Sequence, residues 1–305
     1  MYTYTFEYKK QTILQPQVFR SFILSQIWNC LYILSDFPTI RIPFTSIMTS
    51  YCATLDISGN ILEYLYGIHF SVIYIAHFYT LLFCAIRVLI LSSPENNEQA
   101  CETAMSILRP ILLILGFLVC VPFTLGTGYC VQLDEPFQFG AVKISSDLLR
   151  DNPIPNMIHI FLSTLISCLI ILLNVYMIIK IKIGSKNEVT TVNNSGKLVR
   201  AERTLTITML LMLVTLFMSL ATRGTDLLRS PLYPYVMIIR PFFIDFRVNI
   251  VSWYFYLTHP MFKKPVAKRF DNFYQVKSRL NYRKLIFCYF LCTILCRFQK
   301  QYSFF

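Results

Sequence analysis

The sequence is poor in charge. Asp, Glu, Lys and Arg together make up 14% of its 305 residues, while hydrophobic residues make up 55% and the mean hydropathy is +0.53. A soluble domain carries about a quarter charged residues, so this shortage points to an integral membrane protein rather than a soluble one with a large core. Glycine is scarce as well, with nine in the chain. A transporter would announce itself through internal repeats or paired Gly/Pro-broken helices, and neither is present. There is no HExxH, no P-loop, no GxSxG and no compact Cys/His/Asp cluster, which argues against an enzyme. No CxxC or other metal-ligand spacing occurs among the ten cysteines, so no metal and no cofactor is expected. The N-terminus, MYTYTFEYKKQTILQP, lacks a basic segment followed directly by an apolar core, so insertion is expected to rely on the first spanning helix rather than on a cleaved signal.

What is present is a series of long apolar runs. Six fit spanning helices: Phe19–Asp36, Ile61–Leu91, Ile107–Tyr129, Met157–Ile183, Leu205–Thr222 and Leu232–Thr258. At 1.5 Å per residue each is near or above the ~30 Å of hydrocarbon it must cross. The short alternating segments of a membrane β-barrel do not occur. The expected organisation is a cytoplasmic segment over residues 1–18, a transmembrane bundle over 19–260 and a basic cytoplasmic tail over 261–305.

The net charge of +12 suggests nucleic acid at first sight. However, the bases cluster between and after the apolar runs, which is how membrane orientation is encoded, and no nucleic-acid partner is expected. Lys9, Lys10 and Arg20 flank the first run, and Lys180, Lys182, Lys186, Lys197, Arg200 and Arg203 fall between the fourth and fifth. The first loop has only Arg41. These ends alternate, placing the N-terminus, the Lys180–Arg203 segment and the tail in the cytoplasm. A six-helix protein with both ends inside satisfies this pattern. So does a seven-helix receptor without its first helix, which would have its longest basic loop in this position.

Several stretches carry a resemblance: IRVLILSSPE at the end of the second run, GYCVQLDEPFQFG in the third loop, KLVRAERTLTITM entering the fifth, and RPFFIDFRVN with FYLTHPMFKK in the last. Together they resemble nematode serpentine chemoreceptors of the Srg superfamily, class U or class gamma, over about Phe19 to Lys264. The resemblance implies an all-α, seven-transmembrane receptor-like bundle of which six spans are present, the family's second to seventh. It also implies detection of an external small molecule, signalling through a heterotrimeric G protein, and a place in the plasma membrane of sensory neurons. Arg87 falls where such receptors often have a cytoplasmic-end arginine. Ile86 precedes it, where many receptors have a restraining acid. A transporter or channel subunit, or a truncated receptor that does not signal, are the competing readings.

Cys52 and Cys130 fall on the expected outer side, an oxidising compartment, and similar receptors have a bridge in much this place. A Cys52–Cys130 disulfide would pin the outer loop over the bundle; two free thiols are the alternative. Cys30, Cys84, Cys120 and Cys168 lie within the runs and are expected to be small buried residues.

Ionisable groups inside a membrane are costly and mark function by default. His69 and His77 lie ~12 Å and ~24 Å along the second helix, suited to pocket lining and to hydrogen bonding between helices respectively, or both simply to hydrogen bonds with neighbouring side chains. Arg240, Asp245, Arg247 and Asn249 lie on the last. Arg240 is ~12 Å and Asp245 ~20 Å along it, so Arg240 suits a polar or acidic ligand, and Asp245 and Arg247 suit a polar network with Asp245 as hub. Asp245 is five residues from Arg240 and two from Arg247, spacings that favour partners on other helices. His69, Arg240 and Asp245 are therefore the pocket residues expected from sequence. His77, Asp245, Arg247 and Asn249 form the expected network, and Arg87, Arg200 and Arg203 the G-protein side.

The Lys180–Arg203 segment, with GSKNEVTTVNNSGK in its middle, reads as a flexible cytoplasmic loop that could meet a G protein or anionic lipid. Its Asn193-Asn194-Ser195 sequon lies on the wrong side for glycosylation. Beyond Pro260, Phe262, Val266, Phe270 and Phe273 recur at helical spacing beside four bases, as in a segment lying on the inner leaflet. Cys288, Cys292 and Cys296 suit palmitoylation, or else belong to an extension beyond the receptor proper.

Overall fold

The computed structural model describes residues 16–54, 61–92, 97–133, 135–137, 139–146, 154–187 and 195–258. The sequon asparagines, Arg150, His259-Pro260 and the whole tail, with its amphipathic and cysteine-rich segments, lie outside the described residues. Six long helices account for most of what remains: α1 (Pro16–Asp36), α2 (Ile61–Ser92), α3 (Asn97–Leu118), α4 (Ile154–Asn187), α5 (Ser195–Leu227) and α6 (Tyr233–Thr258). Two strands, β1 (Gly128–Gln132) and β2 (Val142–Ser146), form an antiparallel hairpin between α3 and α4.

The helices follow the apolar runs because a backbone in hydrocarbon must satisfy its own hydrogen bonds. Four stretches are long and apolar enough to cross a membrane: Ile61–Ile90, Cys101–Thr124, Met157–Lys180 and Thr206–Leu227. The chain is a multi-pass, all-α membrane bundle. Its centre is α2, which packs against α1, α3, α4 and both strands. Its apolar side chains are buried nearly all the way round, from Leu62 through Phe70, Tyr74 and Phe83 to Ile86. Of the 18 residues that mark each stretch as a span, only 17% are buried in Cys101–Thr124 against 72% in Ile61–Ile90, which places α2 inside and leaves most of α3 for lipid. A helix that is apolar all round belongs in such a centre.

Three expectations are corrected. The third run is not one helix from Ile107 to Tyr129. The helix starts ten residues earlier, at Asn97, and stops at Leu118. A four-residue helix with Pro122 near its start follows, and Tyr129 belongs to β1. Pro122 has no N–H to continue the preceding helix, so the chain turns there. The Lys180–Arg203 segment is also shorter as a loop than expected. Helix α4 runs on to Asn187 and α5 begins at Ser195, which puts Arg200 and Arg203 on a helix. Lys and Arg are good helix formers, and the intrahelical ladder needs no apolar environment to extend past a span. Finally, Cys30, Cys84 and Cys120 are buried, but Cys168 is exposed on α4. Periodicity places it on the face that α4 leaves outside the bundle.

Candidate functional site

Helix α1 does not end cleanly. It widens into a single π-turn over Phe37–Arg41, where the Ile42 N–H bonds the Phe37 carbonyl five residues back. Such π-turns are rare and often occur at functional sites. The wider turn stacks residues five apart, so Arg41 lies back over Asp36: its Nε donates to Asp36 Oδ2 at 3.0 Å. The rest of the Arg41 fork reaches α6, with Nη1 and Nη2 donating to the two Asp245 oxygens at 3.0 and 2.6 Å. Asp36 in turn accepts from Arg240 Nη1 at 2.9 Å, and Arg240 Nη2 donates to the Tyr32 hydroxyl at 2.9 Å. Burial works against the Arg41 charge. The hydrogen bond to Asp245 and the charges of both acids outweigh it, and hold its proton above the ordinary arginine range.

The result is a chain of alternating charge, Asp245–Arg41–Asp36–Arg240, that fastens α1 to α6 and is neutral as a unit. Bidentate arginine–carboxylate pairing suits a buried setting because it satisfies several donors in one fixed geometry. Asp36 and Arg41 were not singled out from sequence. The signal was an acid closing an apolar run, followed five residues later by the only base of its loop.

Beside this chain is a cavity of about 50 Å³, against roughly 10–15 Å³ for one water. Its walls come from every long helix except α3, together with the π-turn, Phe44 and β2. His69 lies in the wall, buried on α2, with Nδ1 3.0 Å from the Ser35 hydroxyl. Arg240 also lines the cavity, but Asp36 and Tyr32 hold its two terminal nitrogens. Asp245 does not line it and serves the network instead. Three wall residues escaped sequence reading: His159 on α4, whose Nδ1 meets the Tyr74 hydroxyl; Arg223 at the end of α5; and Lys143 on β2. A third histidine within an apolar run was a legible signal for the first. Arg223 and Lys143 had none stronger than position in a loop.

The hairpin closes this end of the bundle. Cys52, in a short helix over Thr49–Ala53, is disulfide-bonded to Cys130 on β1 across a separation of 78 residues. Cys130 pairs with Ile144 in the register, so the bond also places Ile144 and Lys143 against the cavity. Lys143 Nζ then donates to Asp226 Oδ1 at 2.9 Å and lies 4.5 Å above the Tyr233 ring. Close contact with α2 needs Gly128, where a Cβ would come within 2.6 Å of the Glu63 backbone nitrogen.

The expected single network around Asp245 is two separate clusters. Asp245 belongs to the α1–α6 ion chain. Arg247 is fully buried on another side of α6 and donates from Nη2 to Thr80 Oγ1 at 2.9 Å, with Ser25 3.2 Å from the same hydroxyl. Two residues apart on a helix means about 200° of rotation, so the two side chains cannot share partners. Asn249 Nδ2 donates to the Asp245 carbonyl of its own helix at 3.0 Å. His77 lies near Arg247, but neither ring nitrogen has a hydrogen-bond partner among the described residues, contrary to the expected helix-to-helix bond. At the opposite end from the hairpin, Arg87 is buried; Nη2 donates to Thr206 Oγ1 on α5 at 3.3 Å, and the guanidinium lies 5.8 Å from the Phe83 ring. Arg200 and Arg203 follow on the same α5, toward its start.

Comparison with known proteins fits this layout. A serpentine receptor of class U-26 from Caenorhabditis elegans is 24% identical over 119 residues, which is 39% of this chain and 41% of that protein. The match thus spans well under half the length of that relative. The family described as serpentine type 7TM GPCR chemoreceptor Sru matches residues 1–265, most of the chain. Of the two classes the sequence resembled, the match is to class U, and the chain belongs to the Sru family of serpentine chemoreceptors.

Proposed function

We propose that this protein is a chemosensory receptor of the plasma membrane of sensory neurons. It binds an external small molecule in the cavity beneath the hairpin and signals through a heterotrimeric G protein at the opposite end. The observation that carries the reading is the cavity itself. It is concave, its wall mixes aromatic faces with a few converging polar groups, and five of the long helices share it. The hairpin end is the outer one, in line with the sparse bases of its loops and with a disulfide that an oxidising compartment favours. The basic segments at the other end face the cytoplasm.

The ion chain gives the cavity a route to the rest of the bundle. Arg240 belongs to both, so a ligand that displaces its side chain acts on Asp36 and through it on the α1–α6 contact. Arg87 tying α2 to α5 is the corresponding contact at the far end. Activation needs two arrangements of such packed elements, each favoured by a different occupant. Arg200 and Arg203, near the start of α5, are the proposed contacts with the G protein.

The test expresses the chain in cells and screens volatile and water-soluble compounds for calcium or cyclic-nucleotide responses. Responses that vanish when the G protein is removed support the reading. Responses that persist without it refute signalling by this route. Arg200→Glu with Arg203→Glu should abolish the response and leave ligand binding to membranes unchanged.

A further inference from the structure

We infer that the cavity takes an organic anion, a small carboxylate or a group of like charge, and that Arg223 is the residue that holds it. The inference rests on the cavity being the ligand site and adds the chemical class of the ligand. Four bases and three acids meet in and around the cavity. Arg41, Asp36, Arg240 and Asp245 form the neutral chain described above, and Lys143 is paired with Asp226 at 2.9 Å. One positive charge is left over, on Arg223. Among the described residues no carboxylate lies within ion-pair distance of it, although Asp226 is close enough to act on its charge and the Tyr66 hydroxyl is a hydrogen-bond partner.

Arg223 lines the cavity with its guanidinium 4.5 Å above the Phe70 ring. An aromatic face stabilises a cation without neutralising it, and keeps the planar fork oriented. Among the described residues no Asp or Glu lines the cavity, so an ammonium ligand would find no counter-charge among them. A carboxylate would find a fork suited to bidentate binding, with the Tyr66 and Tyr233 phenols also in the wall. Phe44, Phe70 and Ile73 offer apolar contact to the rest of the molecule. Arg240, the base favoured from sequence, is already committed to Asp36 and Tyr32, so an anion binding there would have to compete with a fully buried carboxylate.

The experiment uses the full chain reconstituted in lipid nanodiscs and three four-carbon probes: butanoate, its isostere butanamide, and butylammonium. Binding is read by saturation-transfer NMR and by competition. Butanoate should bind at least about tenfold more tightly than butanamide, the order expected for one charge-assisted hydrogen-bonded pair, and butylammonium should not bind. Arg223→Gln should remove that preference and Arg223→Lys should keep part of it, with thermal melting reporting whether each variant folds. Equal binding of butanoate and butanamide, or a preference that survives Arg223→Gln in a folded protein, overturns the anion assignment and leaves the cavity as a ligand site. Failure of all three probes to bind overturns the anion assignment and the cavity reading together.

Discussion

Asp36 should be the residue whose loss damages this bundle most. Its side chain is 0% exposed and accepts from two arginines on opposite sides, Arg41 Nε at 3.0 Å and Arg240 Nη1 at 2.9 Å. Asp36→Asn keeps the shape and removes the charge, leaving the buried Arg240 with no acid partner among the described residues. Removing one partner of a buried pair costs about 3–5 kcal/mol, mostly because the remaining charge is stranded. That corresponds to roughly a hundredfold to a few-thousandfold in the folded-to-unfolded ratio. Asp245→Asn makes a useful contrast. The Asp245 side chain is 14% exposed and its partner Arg41 13%, so water can reach both, and Arg41 keeps Asp36 afterwards. Its cost should be lower, about 1.5–3 kcal/mol, the range for a hydrogen bond to a charged group. Surface expression by epitope staining, together with thermal melting in detergent, ranks the two. If Asp245→Asn lowers melting as much as Asp36→Asn, or if Asp36→Asn is harmless, the ion chain does not hold α1 to α6 in the way its geometry implies.

Three further outcomes follow from single contacts. Cys52→Ala and Cys130→Ala should each cost about 4 kcal/mol in the chain-entropy account of a loop closed over 78 residues, and the double variant should be no worse than either, as read by melting with and without reductant. Gly128→Ala should cost about 1–3 kcal/mol, since its Cβ would meet backbone at 2.6 Å that cannot move aside; an unchanged melting temperature would refute the close approach of β1 to α2. His77→Leu should raise the melting temperature, by an amount corresponding to about 1 kcal/mol, because it removes two buried ring nitrogens that lack hydrogen-bond partners among the described residues. A lowered melting temperature would mean that His77 holds something not visible in its surroundings.

The sequence by itself determined the class of this protein. Scarce charge and long apolar runs admit only helices that cross lipid, and four of the six runs became helices with nearly the expected bounds because hydrocarbon enforces the intrahelical ladder on whatever sequence enters it. It also showed which side chains are costly enough to need partners: His69, His77, Arg240, Asp245 and Arg247 were legible because a charge or imidazole stands out in an apolar run. Their partners were not legible. Asp245 is 204 residues from Arg41, and Arg240 is 204 from Asp36; nothing local marks either pair. A π-turn at the end of α1 decided the first, by stacking residues five apart where an α-helix stacks four. The meeting of α5, α6 and the hairpin decided which arginine has no carboxylate within ion-pair distance among the described residues, and for that reason the proposed ligand contact is Arg223 rather than Arg240. A side chain's need for a partner is a property of its own solvation. Which partner it finds depends on the packing of helices distant in sequence, and only the tertiary structure contains that.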